Sequence, residues 1–331
     1  MGNLRVFITG SSGFIGGALL ARFIEEGWSV TGNGRRPFRA ITRPHLADYL
    51  QHNLALPLDD RTNKEFDVII HSAAKSSPWG NWKEFECDNV TATSNLLQYA
   101  EKHGQPRFVY ISSPTIYTKY GDQVNIRESS PLPLKKITPY AKSKYLAEKL
   151  VRQYQGEWTI IRPRAVFGPH DTTLFPRLIR AAKLGRLPWI IRKGPEVKTD
   201  LTFIDTVVDV VYQSTILKDI VGEDYNITNN EPVILHDFLK ALFQRVNIPL
   251  PQRSVSHRKA AIIASCMEWT WKVCRLSSEP PLTRYTFDAI ANTKTFDVSK
   301  MLNAFGEPRI SIADGVRRFV DYLNSSKEYQ Q

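Results

Sequence analysis

The chain has 331 residues, with 44 Lys+Arg against 33 Asp+Glu and a formal charge of +11. Hydrophobic residues make up 42% and charged residues 23%, a balance that buries a sizeable core and excludes disordered, collagen-like and disulfide-scaffold chains. No uninterrupted apolar run is long enough to span a bilayer, and Met1–Val6 leads straight into strand-like sequence, so no signal peptide is expected. Cys87, Cys266 and Cys274 are odd in number and form no CxxC pair, and the seven His stand at no metal-ligand spacing. No disulfide framework and no metal are therefore expected, and a reducing cytoplasm is the simplest home. Excess positive charge attracts polyanions, but no Lys/Arg-rich run or nucleic-acid motif accompanies it, so no nucleic-acid partner is expected.

Strand-like runs at Leu4–Ile8, Ser29–Thr31, Asp67–Ile70, Phe108–Ile111 and Trp158–Ile161 alternate with helical stretches. The helices run to about Glu26, with Gly27 as a stop, and over about Trp82–Lys102 and Pro139–Tyr154. Short continuous apolar strands between helices predict an α/β, Rossmann-type doubly wound parallel sheet. After Arg164 the prolines multiply, loops are expected to dominate, and the pattern loosens. Residues 1–165 read as a dinucleotide-binding domain and 166–331 as a smaller, mixed α/β substrate domain, with segments near 200–226 returning to the first. A strand-helix unit is expected at Thr202–Ser214, a helix at Leu235–Val246, and a frayed tail from Asn324.

Gly10-x-x-Gly13-x-x-Gly16 lies between the first strand and the first helix. Gly10 permits a tight turn, Gly13 lets backbone approach a pyrophosphate, and Gly16 permits close helix–strand packing. Ser12, Phe14 and Ile15 belong to the same loop. An acid about 20 residues on binds a free ribose 2′-hydroxyl, whereas Arg accommodates a 2′-phosphate. Arg35 and Arg36 stand there, with no acid, so NADP is favoured and NAD is the alternative.

Tyr140 and Lys144 are four apart near the start of a helix that Thr138 can cap, so their side chains share one face. A nearby ammonium lowers a phenol's pKa. Tyr140 is thereby expected to exchange a proton with a carbonyl or alcohol oxygen while a cofactor exchanges hydride. Ser112 and Ser113 follow the Phe108–Ile111 strand, at the sheet edge where such folds bind ligands.

Together these residues resemble the extended short-chain dehydrogenase/reductase family over nearly the whole chain. TGSSGFIG at 9–16, HSAA at 71–74, DNVTATSNLL at 88–97, YISSPTIY at 110–117, YAKSK at 140–144 and RPRAVFGP at 162–169 carry the likeness. The resemblance implies Ser113 as the catalytic Ser, with Ser112 its alternative, Tyr140 as general acid/base and Lys144 as its partner. It implies cofactor contacts at Asn53, Leu54, Ala73, Ala74, Lys75, Asn89 and Pro163. Asn53 stands where the family often has Asp. A homodimer through the helices near 83–102 and 139–154 is implied too.

Within that family, AAKSSPWGNW at 73–82 and KAAIIASCMEWTWKVCRL at 259–276, the latter preceding Pro280-Pro281-Leu282-Thr283-Arg284, resemble the 3β-hydroxysteroid dehydrogenase and 2-alkyl-3-oxoalkanoate reductase branch. Trp79, Trp82, Pro114 and Thr115 then become substrate contacts. The 259–276 helix either packs on the core, lines a greasy site or touches a membrane peripherally. The activity implied is interconversion of a ketone and a secondary alcohol on a hydrophobic, sterol-like or 3-oxo lipid substrate. The alternatives are a sugar-nucleotide epimerase, with Arg162, Arg164, Arg177 and Arg180 as diphosphate ligands, and a non-catalytic NADP sensor.

Overall fold

The structure, a computed structural model, describes residues 4–37, 48–58, 64–173, 175–276 and 278–326. Strand β1 (Arg5–Thr9) leads through the glycine turn into helix α1 (Phe14–Glu25), followed by β2 (Ser29–Gly34), β3 (Asp48–Gln51) and β4 (Val68–His71). Next come α2 (Trp82–Phe85), a π-helical stretch (Glu86–Thr91) and α3 (Ala92–Lys102), then β5 (Arg107–Ile111), β6 (Gln123–Ile126), α4 (Pro139–Val151) and β7 (Trp158–Pro163). The later elements are β8 (Val166–Phe167), α5 (Phe175–Lys183), β9 (Trp189–Ile191), β10 (Lys198–Thr199), β11 (Thr202–Phe203), α6 (Ile204–Ser214), β12 (Glu223–Ile227) and β13 (Val233–Ile234). Then follow α7 (Leu235–Arg245), β14 (Ser254–Ser256), α8 (His257–Val273), α9 (Arg284–Ala291), β15 (Lys294–Phe296), α10 (Ser299–Phe305) and α11 (Ile312–Ser325).

Seven parallel strands form the main sheet in the order β12-β7-β5-β4-β1-β2-β3. Every residue of β4 is buried, as are four of the five in β1 and in β5. Such continuous apolar strands need helices on both faces: α1 and α6 pack together on one, while α3 and α4 pack together on the other. Chain order reverses at β1 and β4, which opens a crevice beyond the strands' C-terminal ends. β12 completes the sheet beside β7, with Tyr225 opposite Ile161. Outside it, β13, β10, β15 and β6 form a mixed four-stranded sheet, and β8–β11 and β9–β14 form short parallel pairs.

Two sequence expectations need correction. The proline-punctuated stretch after Arg164 includes helix α5, because Pro176 sits in its first turn, where proline's missing N–H removes no helical bond. Asn324 and Ser325 are not frayed, since α11 continues through them while Val316, Phe319, Val320 and Leu323 anchor it to the core. Residues 327–331 of the expected tail lie outside the described residues.

Candidate active site

The glycine turn shapes one end of a cavity of about 930 Å³. Gly10 has φ +68°, and a Cβ there would stand 2.8 Å from the Ala73 backbone. A Cβ on Gly16 would stand 2.3 Å from the Gly10 carbonyl oxygen. Side chains at either position would push the β1 turn off β4 or off α1. Gly13 is the N-cap of α1 and offers no side-chain cap, and the first turn of α1 has no acid. The unpaired N–H groups and positive end of the helix therefore face an anion site, and the backbone fits a dinucleotide pyrophosphate.

Thr9 and His71 tie the ends of β1 and β4 together. Thr93 donates its hydroxyl to the Asn89 carbonyl, so it accepts from His71 Nε2 at 2.9 Å. His71 Nδ1 then accepts from Thr9 Oγ1 at 2.8 Å, leaving Thr9 to accept from the Ser72 and Ala73 amides. Burial lowers His71 to about 3, which keeps the ring neutral, as this chain of bonds requires.

Helix α4 begins at Thr138, whose hydroxyl accepts from the Ala141 amide. Tyr140, Lys144 and Ser113 all line the cavity. The Ser113 hydroxyl stands close enough to Tyr140 to oppose the rise in its pKa, and it accepts from the Thr115 amide and hydroxyl. Ser112 instead gives its hydroxyl to Glu148 at 2.5 Å, so Ser113 is the Ser that faces the phenol.

The expected lowering of the Tyr140 pKa does not occur. Burial pushes it up, Ser113 opposes that only in part, and Tyr285 adds to it. Lys144 offers no relief, because its Nζ donates to the Ile111 carbonyl at 2.7 Å and reaches Tyr110 Oη at 3.3 Å. Burial lowers Lys144 itself to about 7, against the pull of Glu148 one turn on.

Below the face that carries Ser113 and Tyr140 lies an ion network that sequence reading missed. Glu148 accepts two bonds from Arg162, at 2.8 and 2.7 Å, and Arg162 also pairs with Asp224 and donates to Tyr117 Oη. Arg162 and Glu148 side chains are 3% and 4% exposed, so the pairing takes place largely out of water. The network bolts α4 to β7 and β12. The signal was present, since Glu148 continues the 140, 144 spacing on the same helical face.

The rest of the cavity is mostly apolar. Leu178, Leu187, Ile190, Leu201, Leu235, Val255, Ile263, Met267, Leu282 and Ile290 line it, joined by Tyr285 and Thr286. These come from α5, β9, α7, β14, α8, α9 and the loops beside them, all beyond the glycine-rich half of the chain.

Gly10, Ser12, Gly13, Phe14, Ile15, Gly16, Arg35, Arg36, Asn53, Leu54, Ala73, Ala74, Lys75, Pro163, Pro114 and Thr115 also line this cavity. Three expected contacts are placed elsewhere. Asn89 is buried behind the wall, bonded to the Lys75 backbone and to Ser143 Oγ, where it positions the loop after β4. Trp82 opens α2 and lies under the Lys142 ammonium, 3.8 Å from its ring centre. Trp79 faces Lys272 of α8. Neither indole is part of the lining. Of the four arginines proposed for a diphosphate, Arg164 and Arg177 line the cavity, while Arg162 is committed to Glu148 and Asp224, and Arg180 is absent from the wall. The β2 end is not free of acids as the sequence implied, because the chain folds Asp88 back onto Arg35, both carboxylate oxygens at 3.2 Å.

Among the described residues no group of three His, Cys, Asp or Glu side chains could hold a metal, and no helix is long and apolar enough to cross a membrane. The three cysteines are unpaired and exposed.

Comparison with known proteins matches residues 6–228 to the "NAD dependent epimerase/dehydratase family". The chain is 28% identical to the 2-alkyl-3-oxoalkanoate reductase of Stenotrophomonas maltophilia, over 95% of this chain and 98% of that one. It is 25% identical to the human decarboxylating sterol-4-alpha-carboxylate 3-dehydrogenase, over 76% of this chain and 69% of that one. In fold it is similar to the UDP-glucuronic acid 4-epimerase of Bacillus cereus solved with NAD, at a TM-score of 0.75 and 20% identity, covering 98% of each chain.

Proposed function

This chain belongs to the NAD dependent epimerase/dehydratase family, and from that premise we propose that it is an oxidoreductase interconverting a ketone and a secondary alcohol on a hydrophobic substrate, a 3-oxo lipid or sterol. One observation carries this: a single cavity joins the dinucleotide cradle, the Ser113–Tyr140–Lys144 group and a long apolar wall. A nicotinamide cofactor bound there supplies or takes the hydride. Tyr140 supplies the proton to the carbonyl oxygen, and a phenol kept protonated by burial is in the form that reduction needs. Ser113 orients the phenol and shares the substrate oxygen. Lys144, held by the Ile111 carbonyl and Tyr110, lends positive potential to the site while charged. Relatives acting on oxoalkanoates and sterols favour the same substrate class.

A panel of long-chain 3-oxo acids, sterols and UDP-sugars, assayed with NADH and NADPH, tests this. Stoichiometric cofactor oxidation on the lipids is expected; conversion of UDP-sugars alone would overturn it in favour of the epimerase.

We propose NADP as the preferred cofactor, since Arg35 and Arg36 flank the cradle. Asp88 competes for Arg35, so the Arg35→Asp variant, which loses about one charge-assisted bond, is expected to shift preference toward NAD by about tenfold. Unchanged preference in paired Kd titrations would contradict the phosphate grip.

The outer face of α8 exposes Ile262, Trp269 and Val273 at 64%, 68% and 59%, with exposed Arg258, Lys259, Lys272 and Arg275 nearby. We propose peripheral contact with anionic lipid there, because an apolar stripe bordered by cations suits such a surface; failure to co-sediment with anionic vesicles would refute it. We further propose a cytoplasmic homodimer paired through α3 and α4, which a monomeric mass in solution would refute.

A further inference from the structure

Helix α9 turns one face to the cavity. Tyr285, Thr286, Ala289 and Ile290 line it, spaced as one side of a helix requires. Ala289 and Ile290 are apolar, and the Thr286 hydroxyl is bonded to that of Thr283 at 2.9 Å. The Tyr285 hydroxyl has no hydrogen-bond partner among the described residues. Nor is its oxygen sealed among protein atoms, unlike Arg164 Nε and the Asn226 amide, which are buried without a partner. Burial raises the Tyr285 pKa, Arg164 opposes the rise and Asp288 adds to it. A hydroxyl that is open yet set in buried surroundings faces the cavity rather than bulk water.

This phenol belongs to the end of the cavity that holds Tyr140. Tyr285 acts on Tyr140 through its charge and not through a hydrogen bond, so the two oxygens are close without being joined. Helix α9 holds the phenol firmly. Thr283 caps the helix by accepting from the Thr286 amide at 3.0 Å, and the Arg284 amide donates to Glu268 of α8 at 3.0 Å. One turn on, Asp288 pairs with Lys294 at 2.9 Å and accepts from the Gly121 amide at 2.8 Å. The Asp288 and Lys294 side chains are 2% and 5% exposed, so this pair pins α9 to β15 largely out of water. An unfilled donor in an apolar wall is costly unless a ligand or water meets it, and one on an anchored helix is in place before the substrate arrives.

We infer that Tyr285 is a further catalytic residue, whose hydroxyl donates a hydrogen bond to the substrate oxygen that Tyr140 protonates. This rests on the ketone-reducing function proposed above. A carbonyl oxygen has two lone pairs, which Tyr140 and Ser113 can meet. As hydride arrives, that oxygen gains charge and a third donor stabilises it. A phenol kept protonated by burial remains a donor throughout, so Tyr285 bonds the oxygen without exchanging a proton. The apolar face of α9 beside it, Ala289 and Ile290, is left for the hydrocarbon.

The test compares methyl 3-oxododecanoate with methyl dodecanoate, which lacks only the reacting oxygen, on wild type and Tyr285→Phe. Calorimetry with the oxidised cofactor bound measures affinity without turnover, and reduction assays measure kcat. The Phe ring keeps the shape of the cavity. Tyr285→Phe is expected to lower kcat about 30-fold and affinity for the keto ester about threefold, while affinity for the plain ester and for the cofactor is unchanged. The loss in kcat exceeds the loss in affinity because the bond strengthens as the oxygen gains charge. Equal losses of affinity for both esters, or an unchanged kcat, would overturn the inference and leave ketone chemistry standing. A Tyr285-dependent preference for the keto ester in a protein that reduces neither compound would uphold the hydrogen bond and overturn the reductase function instead. Wild type that binds both esters equally, or binds neither, would overturn the inference.

Discussion

Replacing Tyr140 with Phe is expected to lower kcat by about 10³-fold while leaving cofactor affinity within about twofold. The ring stays in place, so the cavity keeps its shape. Only the hydroxyl beside Ser113, the proton donor proposed above, is lost. General acid catalysis of this kind contributes about 10²- to 10⁴-fold. Stopped-flow turnover beside cofactor fluorescence titration separates the two quantities. Retained turnover would remove Tyr140 from the mechanism, and a parallel loss of cofactor binding would assign it a structural role.

The largest stability effect is expected at Arg162. Arg162→Leu would leave buried Glu148 without its cation, while half-buried Asp224 keeps Arg152, and breaking a buried pair in this way destabilises by about 3–5 kcal/mol. Burial opposes the Arg162 charge, yet the bonds and charge of Glu148 prevail and raise its pKa above that of a free guanidinium. Arg162→Lys keeps a charge but cannot form the two-pronged bond to Glu148, so it should fall between. Denaturant unfolding measures both. A Leu variant as stable as wild type would show that the network does not hold α4 on the sheet. The pH dependence through Lys144 has the opposite sign to that of a paired group. Its folded pKa of about 7 lies below the ordinary lysine value of 10.5, so the unfolded chain binds the extra proton between those limits. This group therefore makes stability rise with pH across that window and gives no such gain below it.

Much of this architecture was legible because its signals are local. The strands are short apolar runs, Gly27 stops α1 at φ +78°, and Thr138 caps α4 three residues before the amide that it accepts. The glycine turn could be placed because a strand must precede it and a helix must follow it. What was not legible depends on residues far apart in sequence. Asp88 meets Arg35 across 53 positions, and Arg162 meets Asp224 across 62. The phenol's raised pKa follows from burial, which the YxxxK spacing does not encode. The tryptophans of the 73–82 loop look like pocket walls in the sequence, but the capping of α2 by Asn81 turns Trp82 toward Lys142. Arg164 looked like one of four interchangeable arginines until tertiary pairing accounted for Arg162 and Arg177 and left Arg164 without an acid.

The central claim is that hydride moves between a bound nicotinamide and a substrate carbon beside Tyr140. The most direct measurement uses NADPH and NADH deuterated at the transferring position with a long-chain 3-oxo acid, followed by mass spectrometry of the alcohol product. One deuterium on the new carbinol carbon, delivered from a single face of the cofactor and absent in Tyr140→Phe under the same turnover time, is expected. An unlabelled alcohol, or label retained in a cofactor that is never consumed, would contradict the claim.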